Sequence, residues 1–513
     1  MQDQETGLYF AGMSEASGQG SREGRTRQVG NPGHRIFFDI SAMLDYVGKH
    51  TTLSGIQRVV TEIIEESRNQ ISEDRIYLSF IDKVTQRYMA ICITNLKKGT
   101  LYNAVQLGIA FGVRYPGVKL YKPFEKYKDD RLRIWFHTLK NDLRAWKGEE
   151  KYFSKRGSSI SEWRNYRSQR SRSIKLSRGG AQFFSEVAQA GDHLVILDSS
   201  WSKDHQSEFR RAKDAGAIVH TFVYDLIPMI MPQTTERGIP HAFYEWLSNS
   251  ITYTDQYISG SNSTNNDLGE FLKLEGVSRP LSVVQLAQQF RVKDGNQKAS
   301  EVFGEKEQLK KKYALVCDVG NVSEQIREVL TVPFVLCVGT IEPRKNIWRL
   351  VQAWKLLSER VDVEVPKLVL AGRLGWLRRD FSDFMRATGG GGGYIRVCEG
   401  PSDVELAVLY KNCQFAIMPS LYEGWGLPVG EALSYGKTAV VSNSSSLPEV
   451  GGDLVEYCDP TSIQSIVEAC LRLIQDPDRR KDLERRISNT KLRNWSDVTR
   501  DLLSCVAEFK AEP

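Results

Sequence analysis

Short apolar runs and amphipathic stretches alternate along most of this chain. Apolar runs bounded by turn-forming residues predict buried strands, and apolar positions spaced three and four apart predict helices with one buried face. The first half gives a strand at 35–40, an amphipathic helix over 56–64 introduced by Gly55, and strands at 76–80, 193–197 and 218–224. A second alternating region opens with a strand at 333–339. It continues with a helix at 347–359, strands at 367–371 and 394–397, a helix at 404–411, a strand at 415–418, a helix at 429–435 and a strand at 438–441. Such alternation in both halves predicts two doubly wound α/β domains facing a shared cleft, where a ligand is expected to bind.

The polar stretches divide the chain. Residues 1–30 are rich in Gly, Ser and Gln and are read as a disordered tail. The first domain is expected over 31–300, with a mixed aromatic and basic insertion at about 95–180, and the second over 313–490. The polar segment 293–312 is the expected connection, and 491–513 a C-terminal helix. The glycine run 389–393 is read as a flexible loop without a ligand role.

Composition narrows the class. At 513 residues with 41% hydrophobic content, the chain can build more than one core. Its mean hydropathy is −0.37, and no apolar run approaches the ~20 residues that span a bilayer. The N-terminus carries no basic region leading into an apolar core, so the expected location is the cytoplasm. The eight cysteines are scattered without a CxxC pair and the seven histidines do not cluster, which argues against zinc and disulfide frameworks. Net charge is +6 and unevenly placed: between 155 and 178 the only acid is Glu162. That segment is read either as a solvated insertion or as a peripheral contact with anionic lipid on the inner membrane face; nucleic acid is not expected.

Candidate chemistry concentrates between Tyr422 and Glu431. Two carboxylates, Glu423 and Glu431, flank a turn holding Gly424 and Gly426, and Pro428 suits the start of the following helix. Strand, glycine turn, helix and strand form a βαβ unit whose helix N-terminus offers backbone N–H groups to an anion, while the glutamates accept from hydroxyls. A sugar nucleotide is the ligand class suggested. The loop from Gly339 to Asn346 also follows a strand, and there Arg344 and Lys345 would face a diphosphate. Each feature alone has a plainer reading. Glu431 suits a first helical turn, Glu423 a loop, and Asp225 the cap of a turn; Trp425 reads as packing. The only D-x-D, Asp476-Pro477-Asp478, lies between two helices and reads as a cap, so no metal is expected.

The segments Gly339–Asn346, Ala371–Arg373, Pro419–Pro428 and Ser446–Gly451 resemble family 4 retaining glycosyltransferases, densely over about 333–460, with Glu423 and Glu431 as the E-x7-E pair. Sparser matches occur at Ser54–Arg58, Tyr224–Pro228 and Ser259–Ser263. The resemblance implies a GT-B fold of two Rossmann-like domains, the C-terminal helix crossing back onto the first, and transfer of a hexose, with mannose suggested, from a nucleoside-diphosphate sugar to a saccharide or lipid-linked acceptor in polysaccharide or O-antigen assembly. No cofactor is implied.

Carried over, the resemblance assigns Glu423 to the donor sugar's hydroxyls and Glu431 to the ribose. Gly424, Trp425, Gly426 and Leu427 would present backbone amides, and Lys345 with Arg344 would neutralise the leaving diphosphate. Residues near Val397 would cradle the base, Gly55 would admit the phosphates closely, and Asp225 would stand beside the acceptor. Two positions depart from the family pattern: Thr340 stands where Arg often follows the strand-ending glycine, and Tyr224 where His often precedes the Asp. A non-catalytic scaffold on the same fold and a sugar-nucleotide epimerase or phosphorylase are the rival readings. A dinucleotide oxidoreductase fits worse, because Gly424, Gly426 and Gly430 have the wrong spacing.

Overall fold

The computed structural model describes residues 34–83, 86–113, 131–154, 160, 163–164, 180–198, 201, 203–289 and 322–510. The tail expected at 1–30, nearly all of the basic stretch 155–178 and the connection expected at 293–312 lie outside these residues.

Apolar runs become strands of two sheets. The first sheet is built from β1 (Ile36–Asp39), β2 (Ile76–Ile81), β3 (Tyr88–Cys92), β4 (Gln182–Phe183), β5 (His193–Ile196), β6 (Ile218–Val223), β7 (Gln256–Ser259) and β8 (Leu281–Val283). Their order is β4-β3-β2-β1-β5-β6-β7-β8. Pairing is parallel from β2 through β8, and β3 and β4 are added antiparallel at one edge. The second sheet holds β9 (Phe334–Val338), β10 (Lys367–Gly372), β11 (Ile395–Glu399), β12 (Ala416–Met418), β13 (Ala439–Ser442) and β14 (Glu456–Cys458), ordered β11-β10-β9-β12-β13-β14. Each described pairing in it is parallel. Strands such as β1 and β9 are buried along nearly their whole length, as a parallel sheet covered on both faces requires.

Helices cover the sheets through their apolar stripes. The Gly55–Ser67 helix buries Val59, Val60, Ile63 and Ile64. The C-terminal helix Trp495–Glu508, opened by an Asn494–Asp497 capping box, packs against that first-domain helix, and the side chain of Gln70 donates to the Ser496 carbonyl at 2.8 Å. One continuous apolar core joins Phe222, Leu286 and Ala287 of the first domain to Trp425, Val429 and Leu502. Among the described residues the seven cysteines are all free thiols.

The glycine run differs from the flexible loop expected. Gly389 to Gly393 all take positive φ, between 58° and 85°, forming a left-handed turn in which Thr388 Oγ1 accepts from the Gly391 N–H at 2.8 Å. Side-chain-bearing residues resist consecutive left-handed conformations, so the run is a shape requirement rather than a slack segment. The pair Asp476 and Asp478 behaves as a cap, with Asp476 accepting from the Arg479 N–H at 2.9 Å. Among the described residues no cluster of metal-ligating side chains forms, and no helix is long and apolar enough to cross a membrane.

Candidate functional site

The carboxyl ends of both parallel sheets meet at the seam between the domains, where loops after strands gather polar side chains. After β9, Glu342, Arg344 and Lys345 lie on a tight turn, closed by Asn346 in the left-handed region (φ 59°). Asn346 stays there because its side-chain amide donates to the Pro419 and Pro460 carbonyls at 2.9 and 2.6 Å. After β12, residues 419–426 lead into the Leu427–Ser434 helix, two residues earlier than the sequence pattern predicts. Gly426 sets that start with φ 105°, where a Cβ would lie 2.5 Å from Leu447.

These two loops interlock around Glu423. Its buried carboxylate meets the Arg344 guanidinium through one oxygen and the Lys345 ammonium through the other, each at 2.7 Å. Arg344 also pairs with Glu342 at 2.6 Å and donates to the Tyr422 carbonyl at 2.9 Å. Burial pushes the Glu423 carboxyl upward, but the two cations outweigh it and hold the group down at about 2. The Arg344 guanidinium loses solvation too, and Glu423, Glu342 and Asp225 together raise its proton affinity. The loop backbone is tied as well: the Glu423 N–H donates to Ser445 Oγ at 2.9 Å, and Ser446 Oγ donates to the Glu423 and Trp425 carbonyls.

The first domain supplies the opposite wall. Asp225, after β6, accepts from the Ile227 N–H at 3.1 Å, the cap-like arrangement expected of Asp in a turn. It also lies in the field of Arg344, Glu423 and Glu342, and burial raises its carboxyl above the ordinary range. The Tyr224 hydroxyl is buried without a hydrogen-bond partner among the described residues.

Glu431 is buried on the Leu427–Ser434 helix and is not an open acceptor. Arg58 of the first domain reaches one oxygen at 2.5 Å and the Tyr410 hydroxyl donates to the other at 2.8 Å. Arg58 was legible only as part of the Ser54–Arg58 match; its partner lies 373 residues away. With 30% of its side chain exposed, the pair is partly screened. A double-mutant cycle over Arg58→Ala and Glu431→Ala, read by chemical denaturation, is expected to give a coupling of about 1–2 kcal/mol. Additive losses would show that the pair does not join the domains energetically.

Other expected residues fall differently. Trp425 points its indole into the core joining the domains, donating to the Ala287 carbonyl at 3.2 Å, so its ring is packing. Leu427 opens the helix and lies against Gly55, where a Cβ would be 3.9 Å away. Val397 does not reach the carboxyl end of a strand: it is the middle residue of β11, the sheet edge, packed against the second core cluster. Glu399 and Gly400 occupy the position expected for Val397.

Several seam residues were given no role from the sequence, although Glu449 and Tyr422 lie in the matched segments Ser446–Gly451 and Pro419–Pro428. Glu449 accepts from the backbone amides of Asn262 and Ser263 at 2.8 and 2.9 Å, placing a carboxylate on the N-terminus of the Asn262–Leu274 helix. Tyr422 donates to Asp267 across the same seam, and the Trp376 indole donates to the Thr234 carbonyl at 2.8 Å.

Residues 318–490 match the family described as "Glycosyl transferases group 1". The O-antigen chain mannosyltransferase B of Escherichia coli is 37% identical over 167 residues, covering 32% of this chain and 43% of the relative. The MMP alpha-(1->4)-mannosyltransferase of Mycolicibacterium hassiacum is 32% identical over 112 residues, covering 20% of this chain and 26% of that protein. The chain thus spans less than half the length of these curated relatives. Among solved structures, the sucrose-phosphate synthase of Thermosynechococcus elongatus aligns over 92% of this chain and 97% of its own, with a TM-score of 0.51 at 15% identity. With two facing, largely parallel sheets the chain has the GT-B fold, and residues 318–490 of its second domain are similar to the group 1 glycosyltransferases.

Proposed function

We propose that the chain transfers a hexose, with mannose first in line, from a nucleoside-diphosphate sugar to a saccharide acceptor in polysaccharide or O-antigen assembly, with retention of anomeric configuration. The observation that carries this reading is Glu423, a carboxylate held ionised between Arg344 and Lys345 beside the N-terminus of the Leu427–Ser434 helix, which no described side chain caps. The curated relatives, which are mannosyltransferases, direct the choice of sugar.

In this reading Glu423 accepts from hydroxyls of the transferred sugar, and the diphosphate occupies the space beside Lys345 and the amides of Gly424 to Leu427. Two cations fixed in a low-dielectric seam stabilise charge growing on the leaving diphosphate, so a metal ion is not required for that step. A phosphate oxygen of the donor takes the acceptor's proton while the new bond forms on the same face, and the protein contributes positioning and exclusion of water. Asp225 stands on the acceptor side, Glu431 serves the ribose in exchange for part of its Arg58 contact, and a lipid-linked saccharide is the acceptor proposed.

Thermal shift against a panel of nucleoside-diphosphate sugars tests the donor. GDP-mannose at a hundred times its Kd is expected to add about 2.7 kcal/mol of stability, a rise of roughly 2–3 °C for a cooperative unit of this size. Anomeric analysis of the product then tests retention. No response to any nucleotide sugar would overturn the reading, and binding without turnover would favour the scaffold.

A further inference from the structure

The Arg131–Trp146 helix is amphipathic, but it is turned inside out. The residues described as buried on its protein-facing side are small or polar. Thr138, Asn141 and Ala145 are buried, Asn141 accepts from the Tyr152 hydroxyl at 3.1 Å, and Asp142 accepts from the Trp163 indole at 3.0 Å. Behind it Ala145, Phe153, Ile160 and Trp163 form a separate small core. The large apolar residues face outward: Trp135 is 64% exposed, Phe136 59%, Leu139 47%, Leu143 52% and Trp146 80%. At 3.6 residues per turn these five fall within an arc of about 100°, a continuous stripe along the helix. A soluble surface ordinarily leaves apolar side chains singly, and a stripe of this kind marks an interaction site.

The neighbouring arc is basic. Arg133 and Lys147 are exposed and Lys140 is half-exposed; at the same helical spacing they lie beside the stripe, on the side away from the small core. A tryptophan stands near each end of the stripe, and Trp is the residue enriched where hydrocarbon meets headgroups. An apolar stripe with Trp, Phe and Leu beside a Lys/Arg face is the pattern of a helix lying in the plane of an anionic bilayer surface. We propose that the Arg131–Trp146 helix docks this chain on an anionic membrane, inserting Trp135, Leu139, Leu143 and Trp146 among the acyl chains while Arg133, Lys140 and Lys147 meet the headgroups. The mode is peripheral, since the helix buries one of its faces against protein. It is independent of the donor-site reading and assigns the contact to this helix rather than to 155–178.

The test is sedimentation of the full chain with vesicles of phosphatidylcholine alone and of phosphatidylcholine mixed with phosphatidylglycerol. The full chain is expected to pellet with the mixed vesicles and less with the neutral ones, the difference shrinking as salt is added. W135S/L139S/W146S is expected to partition at least about ten-fold more weakly while keeping its melting temperature, because these side chains support no core. K140E/K147E should lose the preference for phosphatidylglycerol. Equal partitioning of the triple variant and the parent overturns the proposal, as does loss of binding only on deletion of 155–178. A parent that dimerises through this stripe in light scattering and ignores vesicles overturns it as well.

Discussion

Glu423→Ala is expected to abolish transfer and also to lower the unfolding free energy by about 3 kcal/mol, the smaller end of the cost of breaking a buried ion pair. The variant is therefore not a silent active-site change. It removes the anion that Arg344 and Lys345 share in a buried seam, although Arg344 keeps Glu342 and the Tyr422 carbonyl. Glu423→Gln keeps the shape and removes the charge, which makes pH the sharper probe. Glu423 falls from the ordinary 4.5 to about 2 in the folded chain. Between those values the unfolded chain binds the proton and the folded chain does not. The carboxylate's contribution, about 3 kcal/mol, is accordingly complete above pH 4.5 and lost as the pH falls towards 2. Denaturation at a series of pH values should show this acid dependence in the parent and a flatter one in Glu423→Gln. Identical acid limbs, or undiminished transfer by Glu423→Gln, would remove Glu423 from the centre of the site.

What the sequence revealed follows from how far each interaction reaches along the chain. Glu423, Gly424 and Gly426 form a local motif and are legible as one, whereas the ion pairs of Glu423 with Arg344 and Lys345 join loops that follow two different strands and were not expected. Apolar runs such as Phe334–Val338 and Ala439–Ser442 are buried on both faces of a parallel sheet and announce themselves. Short or mixed strands do not. β7 begins with a buried Gln256, and β8 is three half-buried residues, so neither has a period to read. Residues whose role is to meet the other domain are the least visible. Arg58, Glu449 and Asp267 are ordinary surface types in their own neighbourhoods and meet these partners only when the domains pack. Val397 was misplaced for a related reason: strand boundaries drift by a residue or two, and a shift of two moves a residue from a sheet's ligand-facing end into its body.

Gly424→Ala is expected to cost at least about a hundred-fold in transfer, the scale of a one-ångström misplacement of reacting groups, while each domain keeps its fold. A Cβ at Gly424 would lie 2.2 Å from the Tyr224 carbonyl oxygen and 3.0 Å from Asp225 Cβ. A backbone oxygen cannot rotate out of the way as a side chain would, and this one also accepts from Thr264 Oγ1 at 3.2 Å. The added methyl must therefore push the two domains apart at the point where Asp225 faces Glu423. Gly55 supplies the control. A Cβ there meets only Leu427, at an ordinary 3.9 Å, so Gly55→Ala disturbs no protein contact. If donor phosphates approach the backbone at Gly55, that variant raises the donor KM with little change in melting temperature or in the radius of gyration by small-angle scattering. Gly424→Ala, by contrast, should expand the molecule even without donor. Should Gly424→Ala leave both compactness and transfer intact, the close approach at Tyr224 is not what aligns the two walls; should Gly55→Ala leave KM unchanged, the phosphates lie elsewhere on the seam.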